Sequence, residues 1–159
     1  MLRRSSHSVW ECRYHVVWAT KRRKRALKEE HEREYCKRLL RRAAEVADAE
    51  VEAIEVAEDH VHLCVEIPPK QSVGGTVRKL KSLSARYMLK RFPYLRGIFW
   101  TDEMWSPSYF VRSVGDRVTA AMVMQYIETH EERVALGPVQ AELFTKGPKG
   151  PKGKAKRRT

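Results

Sequence analysis

Two histidines one residue apart, His60 and His62, and a tyrosine 64 positions beyond them, Tyr126, are the residues of this chain best suited to chemistry. Side chains on a β-strand alternate between faces. His60-Val61-His62 therefore sets two imidazoles side by side and turns Val61 the other way. Neutral imidazole binds divalent metals, but two such ligands hold one weakly, so a third is expected. His130 stands four residues after Tyr126, and residues four apart on a helix share a face. One helix would then present a nucleophile and a third ligand together. A divalent cation polarises a phosphate oxygen and offsets the charge that develops there. A phenol, with an ordinary pKa of about 10, must lose its proton to attack. The chemistry that suits such a set is cutting a nucleic-acid strand by forming a phosphotyrosine bond.

Each of these residues also has a plainer explanation. An HxH pair is often no more than the exposed polar face of a half-buried strand. Tyr126 could be a core tyrosine of an amphipathic helix beside Met122 and Ile127, and His130 a charge near a helix C-terminus. Gly74-Gly75 reads as the turn that starts a helix rather than a phosphate cradle, since no Walker lysine follows at the required spacing.

The elements that would position these groups are legible from periodicity. Residues 8–20 alternate as a strand, with Trp10, Cys12, Tyr14, Val16 and Trp18 against Glu11, Arg13 and His15. A basic loop, Lys21 to Arg25, follows. A helix is expected over 28–48, with acids at its start, bases toward its end, and Tyr35, Leu39, Ala43 and Val46 buried. Residues 50–57 and 60–67 read as strands joined by a turn at Glu58-Asp59. In the second, Val61, Leu63, Val65 and Ile67 take one face and His60, His62, Cys64 and Glu66 the other, before Pro68-Pro69. A helix over 75–92 buries Val77, Leu80, Ser84 and Tyr87, while Arg78, Ser82, Arg86 and Lys90 form a polar stripe. A strand over 107–114 and a helix over 116–133 complete the series.

The order β-α-β-β-α-β predicts an α+β fold, a ferredoxin-like or RRM-like split βαβ antiparallel sheet with both helices on one face. The two histidines are expected on the other, open face, crossed by the additional C-terminal helix. Residues 1–137 would form one domain and 138–159 a basic, disordered tail.

Composition narrows the partners. The 159 residues suit one domain, and 42% hydrophobic content supports a core. The net charge is +12, with a pI near 9.9. Seven of those charges lie in 146–159, so the remainder still carries +5. Such a surplus favours polyanions, nucleic acid foremost. The tail would add affinity without specificity. Cys12, Cys36 and Cys64 are odd in number, with no CxxC, which predicts reduced thiols and a cytoplasmic setting. No apolar run of about 18 residues indicates a membrane span or a secretory leader.

Four blocks carry a family resemblance: HSVWECRYHVVWATKRRK at 7–24, EDHVHLCVEIPP at 58–69, WSPSYFVRSVG at 105–115 and MQYIETHEER at 124–133. In order and spacing they resemble the single-tyrosine HUH transposases of the IS200-like insertion sequences, which move as single-stranded DNA. The resemblance implies His60 and His62 as metal ligands and Tyr126 as nucleophile, with Mg²⁺ or Mn²⁺ as cofactor. Where the family usually has glutamine, four residues after the tyrosine, this chain has His130, which can still ligate but leaves the metal preference open. The resemblance further implies a homodimer with composite active sites, recognition of a DNA hairpin, and rejoining through a 5′-phosphotyrosine. Arg22, Arg23, Arg78, Arg86 and Lys90 are candidates for DNA-backbone contacts, with Trp10 or Tyr109 for stacking. Three other readings compete: a non-catalytic single-strand-binding module, a host-adopted relative processing genomic hairpin repeats, and a rolling-circle nickase.

Overall fold

The alternating run Arg13–Ala19 forms a strand because its odd and even residues meet different environments. Val16 and Trp18 are buried on one side, and His15 is buried on the other. The computed structural model describes residues 2–115. In chain order these are strands β1 (Arg3–Arg4), β2 (Val9–Trp10) and β3 (Arg13–Ala19), helix α1 (Glu30–Val46), strands β4 (Glu50–Val56) and β5 (His60–Glu66), helices α2 (Val73–Arg91) and α3 (Leu95–Phe99), and strand β6 (Phe110–Val114). The expected helix over 116–133, Tyr126, His130 and the basic tail lie outside the described residues.

The sheet order is β4-β5-β3-β6, every neighbour antiparallel. Omitting the small β1-β2 hairpin and the short α3, the element order is the expected β-α-β-β-α-β, with the first long strand between the third and the last. Val61, Leu63 and Val65 are fully buried and join Leu40 and Ala43 of α1 and Val77, Leu80 and Met88 of α2 in one core. A buried valine or leucine is worth about 1.5–3 kcal/mol over an exposed one, so these strand residues fix the register of β5. That register decides which way the histidines point.

Several boundaries differ from the expectation. The strand over 8–20 is two. Ser5 and Ser8 close a turn through Ser5 N–H to Ser8 O at 2.8 Å, and β2 folds back on β1 with Arg3 opposite Trp10. The buried face of α1 runs through Glu32, Cys36, Leu40, Ala43 and Ala44; of the expected stripe Ala43 is buried, Tyr35 and Leu39 pack at the core's edge, and Val46 is exposed. On α2, Met88 takes the interior position and Tyr87 is exposed, whereas Arg78, Ser82, Arg86 and Lys90 are all exposed as expected. The second glycine of Gly74-Gly75 has a steric reason: Ser72 caps α2 by accepting from Gly75 N–H, and a Cβ there would meet Ser72 Oγ at 2.7 Å.

Candidate active site

The face of the sheet opposite the helices is built from alternate residues of all four strands. Register pairs Ala19 with His60, Val17 with His62, His15 with Cys64 and Arg13 with Glu66, and brings Phe110 and Arg112 alongside from β6. The face divides in two. At one end Arg13, Glu11, Glu52, Glu66 and Arg3 form ion pairs, and Cys64 Sγ donates to Glu52. Burial pushes the Cys64 thiol up to about 11, so it stays protonated near neutral pH.

At the other end are the histidines. The His60 and His62 rings lie 4.6 Å apart, edge to face, and His15 stacks on His62 at 5.9 Å. Phe110 packs edge-on against His15 at 6.5 Å. The histidines lie on the face away from α1 and α2, as expected, and that face is covered at this point. His60 and His62 are only 8% and 3% exposed, as part of a strand buried along its whole length. Burial limits water's access to the imidazoles and confines their rings.

His60 has a dedicated orienting partner. Asp59, in the β4-β5 turn, accepts from His60 Nδ1–H at 2.5 Å. This fixes the tautomer and leaves Nε2 as the ring's acceptor, the usual arrangement for a ligating histidine backed by a carboxylate. The hydrogen bond to His60 is the main cause holding the Asp59 carboxyl below the usual carboxylate range, with Arg23 and Arg25 adding to it. Arg23 approaches Asp59 at 3.8 Å. Thr20 ties the turn to the basic loop: its N–H donates to Asp59 O at 2.8 Å, and its hydroxyl lies 2.7 Å from Lys24 O and 3.1 Å from Asp59 O.

Two imidazoles with a backing carboxylate fit part of a metal-binding set. Among the described residues no group of three or more His, Cys, Asp or Glu side chains completes one. The candidate third ligand, His130, and the candidate nucleophile, Tyr126, lie outside the described residues.

The candidate DNA contacts fall in two places. Arg22 and Arg23 belong to a short 3₁₀ turn, Lys21–Arg23, and both have positive φ, 55° and 52°. Arg22 donates to Phe99 O at 3.0 Å. Arg78 and Arg86 stand on α2 at the wall of a groove of about 690 Å³ that also meets Lys81, Trp105 and Tyr109, with exposed Lys90 further along the helix. Lys81 reaches across to the carbonyls of Ser106 and Ser108, and burial lowers its pKa. Trp105 donates from Nε1 to Ser84 at 2.9 Å and packs edge-on against Trp18, beneath the histidine strand.

Comparison with known proteins fits this arrangement. A sequence model of the family described as "Transposase IS200 like" matches residues 8–130, which span His60, His62, Tyr126 and His130. The chain belongs to the IS200-like transposase family. This transposase is 34% identical to the ISDra2 transposase TnpA of Deinococcus radiodurans over 125 residues, 79% of this chain and 88% of that protein. It is 32% identical to the transposase for insertion sequence element IS200 of Salmonella typhimurium, over 83% of this chain and 85% of the other. A crystal structure from Deinococcus radiodurans R1, described as that of a transposase, superposes with a TM-score of 0.65 at 36% identity, covering 80% of this chain and 96% of that one. The structure of a REP-associated tyrosine transposase bound to a REP hairpin shares the fold, with a TM-score of 0.50 at 12% identity over 87% of this chain and 74% of that one. Among the described residues of the transposase no helix is long and apolar enough to cross a membrane.

Sequence reasoning overlooked three residues here. Asp59 read only as a turn residue, although an acid directly before an HxH strand is the signal for an orienting carboxylate. His15 read as the polar alternate of a strand. Trp100 belongs to no periodic pattern.

Proposed function

We propose that this transposase is a metal-dependent enzyme that cuts and rejoins single-stranded DNA at hairpin-bearing element ends through a 5′-phosphotyrosine. The observation that carries the proposal is the buried His60–His62 pair with Asp59 fixing the His60 tautomer, in a chain whose family match runs through Tyr126 and His130. His60, His62 and His130 would hold Mg²⁺ or Mn²⁺, which when bound polarises the scissile phosphate. The Tyr126 phenolate oxygen attacks phosphorus, the P–O3′ bond breaks, and the 3′-oxygen leaves as a hydroxyl after taking a proton. The phosphate stays joined to the tyrosine, so the free 3′-OH of another strand end can reverse the step without hydrolysis.

The basic loop and the α2 stripe supply cations for the phosphate backbone, and the pI of about 9.9 agrees with a polyanionic partner. The hairpin-bound relative of the same fold supports a hairpin as the recognised element. A homodimer with composite sites belongs to the same proposal and is tested by sedimentation.

The deciding experiment incubates labelled single-stranded DNA from the element ends with protein and Mg²⁺ or Mn²⁺ and reads a denaturing protein gel. A covalent band is expected with the native chain and none with Tyr126→Phe, which keeps the ring and removes the oxygen. An adduct that persists in the Phe variant would refute the nucleophile.

A further inference from the structure

Trp100 is the most exposed large hydrophobic residue among those described, at 82%. It also sits in a left-handed backbone conformation, φ 57° and ψ 25°, at the C-terminal cap of α3. That position usually falls to glycine or asparagine, because a Cβ there meets the backbone. A bulky aromatic side chain in this conformation carries the general handedness penalty and gains almost no burial in return. Strain kept at an exposed residue is a reason to look for a ligand.

The surroundings say what kind. Lys24 Nζ lies over the Trp100 ring, 5.2 Å from its centre, and Arg22 holds the carbonyl of Phe99 directly before it. The nearby acids are engaged: Asp102 pairs with Arg96 at 2.7 Å, and Glu103 with Lys21. Arg22 donates to the Phe99 carbonyl and adds to the field that lowers the Glu103 pKa, while Lys24 meets the ring. An aromatic face flanked by two cations complements one chemistry: a flat base on a negatively charged backbone. The corner is also bonded to the histidine site. Lys24 O meets the Thr20 hydroxyl, Thr20 meets Asp59 O, and Asp59 holds His60.

We propose that Trp100 is a stacking platform for an unpaired base of the single strand, with Arg22 and Lys24 on the adjoining phosphates. The inference rests on the proposed function and adds a subsite to it. The base is bound by its face, so the platform accepts any base and prefers unpaired strand to duplex.

The test uses the full chain and two fluorescein-labelled probes of about 20 units: oligothymidylate, and an abasic deoxyribose-phosphate strand of equal charge. Trp100→Ala should weaken binding to oligothymidylate about 5- to 100-fold, the range of a lost base stack. Binding to the abasic strand should change by about twofold or less, and Trp100→Phe should keep most of the affinity. No loss on oligothymidylate, or equal loss on both strands, would overturn the platform. A change of oligomeric state in Trp100→Ala by sedimentation would overturn it too, because Trp100 would then be a contact with a second copy. The covalent-adduct assay on the native chain separates the two levels. A native chain that neither binds single strand nor forms an adduct ends the proposed function. One that forms the adduct while Trp100→Ala binds normally ends only the platform.

Discussion

The histidine face and the Trp100 corner are joined by Thr20, yet they are built on opposite terms. His60 and His62 are buried and placed by seven residues of sheet register, and His60 is paired with a carboxylate. Trp100 is exposed, sits in a strained backbone, and is placed by a one-turn helix and a carbonyl contact from Arg22. The first arrangement spends stability on precision, as a metal ligand set requires. The second leaves an unsatisfied apolar surface, as a surface that waits for a base must. On the proposed reading, scaffold and chemistry coincide in the sheet, whereas the substrate surface is carried on loops.

The contrast can be broken by substitution. The largest effect is expected from His60→Ala or His62→Ala, each of which should lower adduct formation at least 10²- to 10³-fold, the scale of losing a group that stabilises transition-state charge. Undiminished Mn²⁺ binding by calorimetry in the double-alanine protein would remove the pair from the site. Next is Asp59→Ala, which leaves both imidazoles in place and should cost about 10- to 100-fold in Mn²⁺ affinity, the usual loss when an orienting carboxylate is removed. An unchanged affinity would mean that sheet register alone orients His60. The smallest effect sharpens the other side of the comparison. Trp100→Gly and Trp100→Ala both lose the ring and the Lys24 contact, but only glycine escapes the left-handed penalty. Glycine should therefore be the more stable of the two by about 1 kcal/mol in urea denaturation. Equal midpoints would show that the strain is not held in solution.

Much of the histidine face was legible in the sequence because β-alternation is a strict code. Val61, Leu63 and Val65 had to go inward, so His60 and His62 had to go the other way. Helical faces are less strict. On α1 the series through Tyr35 and through Cys36 are both apolar enough; Cys36 and Leu40 take the centre of the buried face, Tyr35 and Leu39 its edge. On α2 Tyr87 and Met88 compete for the same interior position, and Met88, with no hydroxyl to solvate, takes it. How closely the histidines are covered, 8% and 3% exposed, was not legible, because the alternation of a strand specifies direction and not cover. Asp59 and Trp100 were missed for a different reason. Each acts through one geometric fact, a hydrogen bond to an adjacent ring and a positive φ, and neither leaves a periodic trace.

Thr20 turns the comparison into a measurement. Its side chain and backbone bond two segments at once, the loop that carries Lys24 and the turn that carries Asp59, and it is fully buried. The two segments therefore cannot slide independently. A strand laid against Trp100 would reach the histidines after a set number of nucleotides, and the scaffold would act as a ruler. On that footing the offset between the gripped base and the cut would belong to the protein's geometry and would hold whatever letters the strand carries in between.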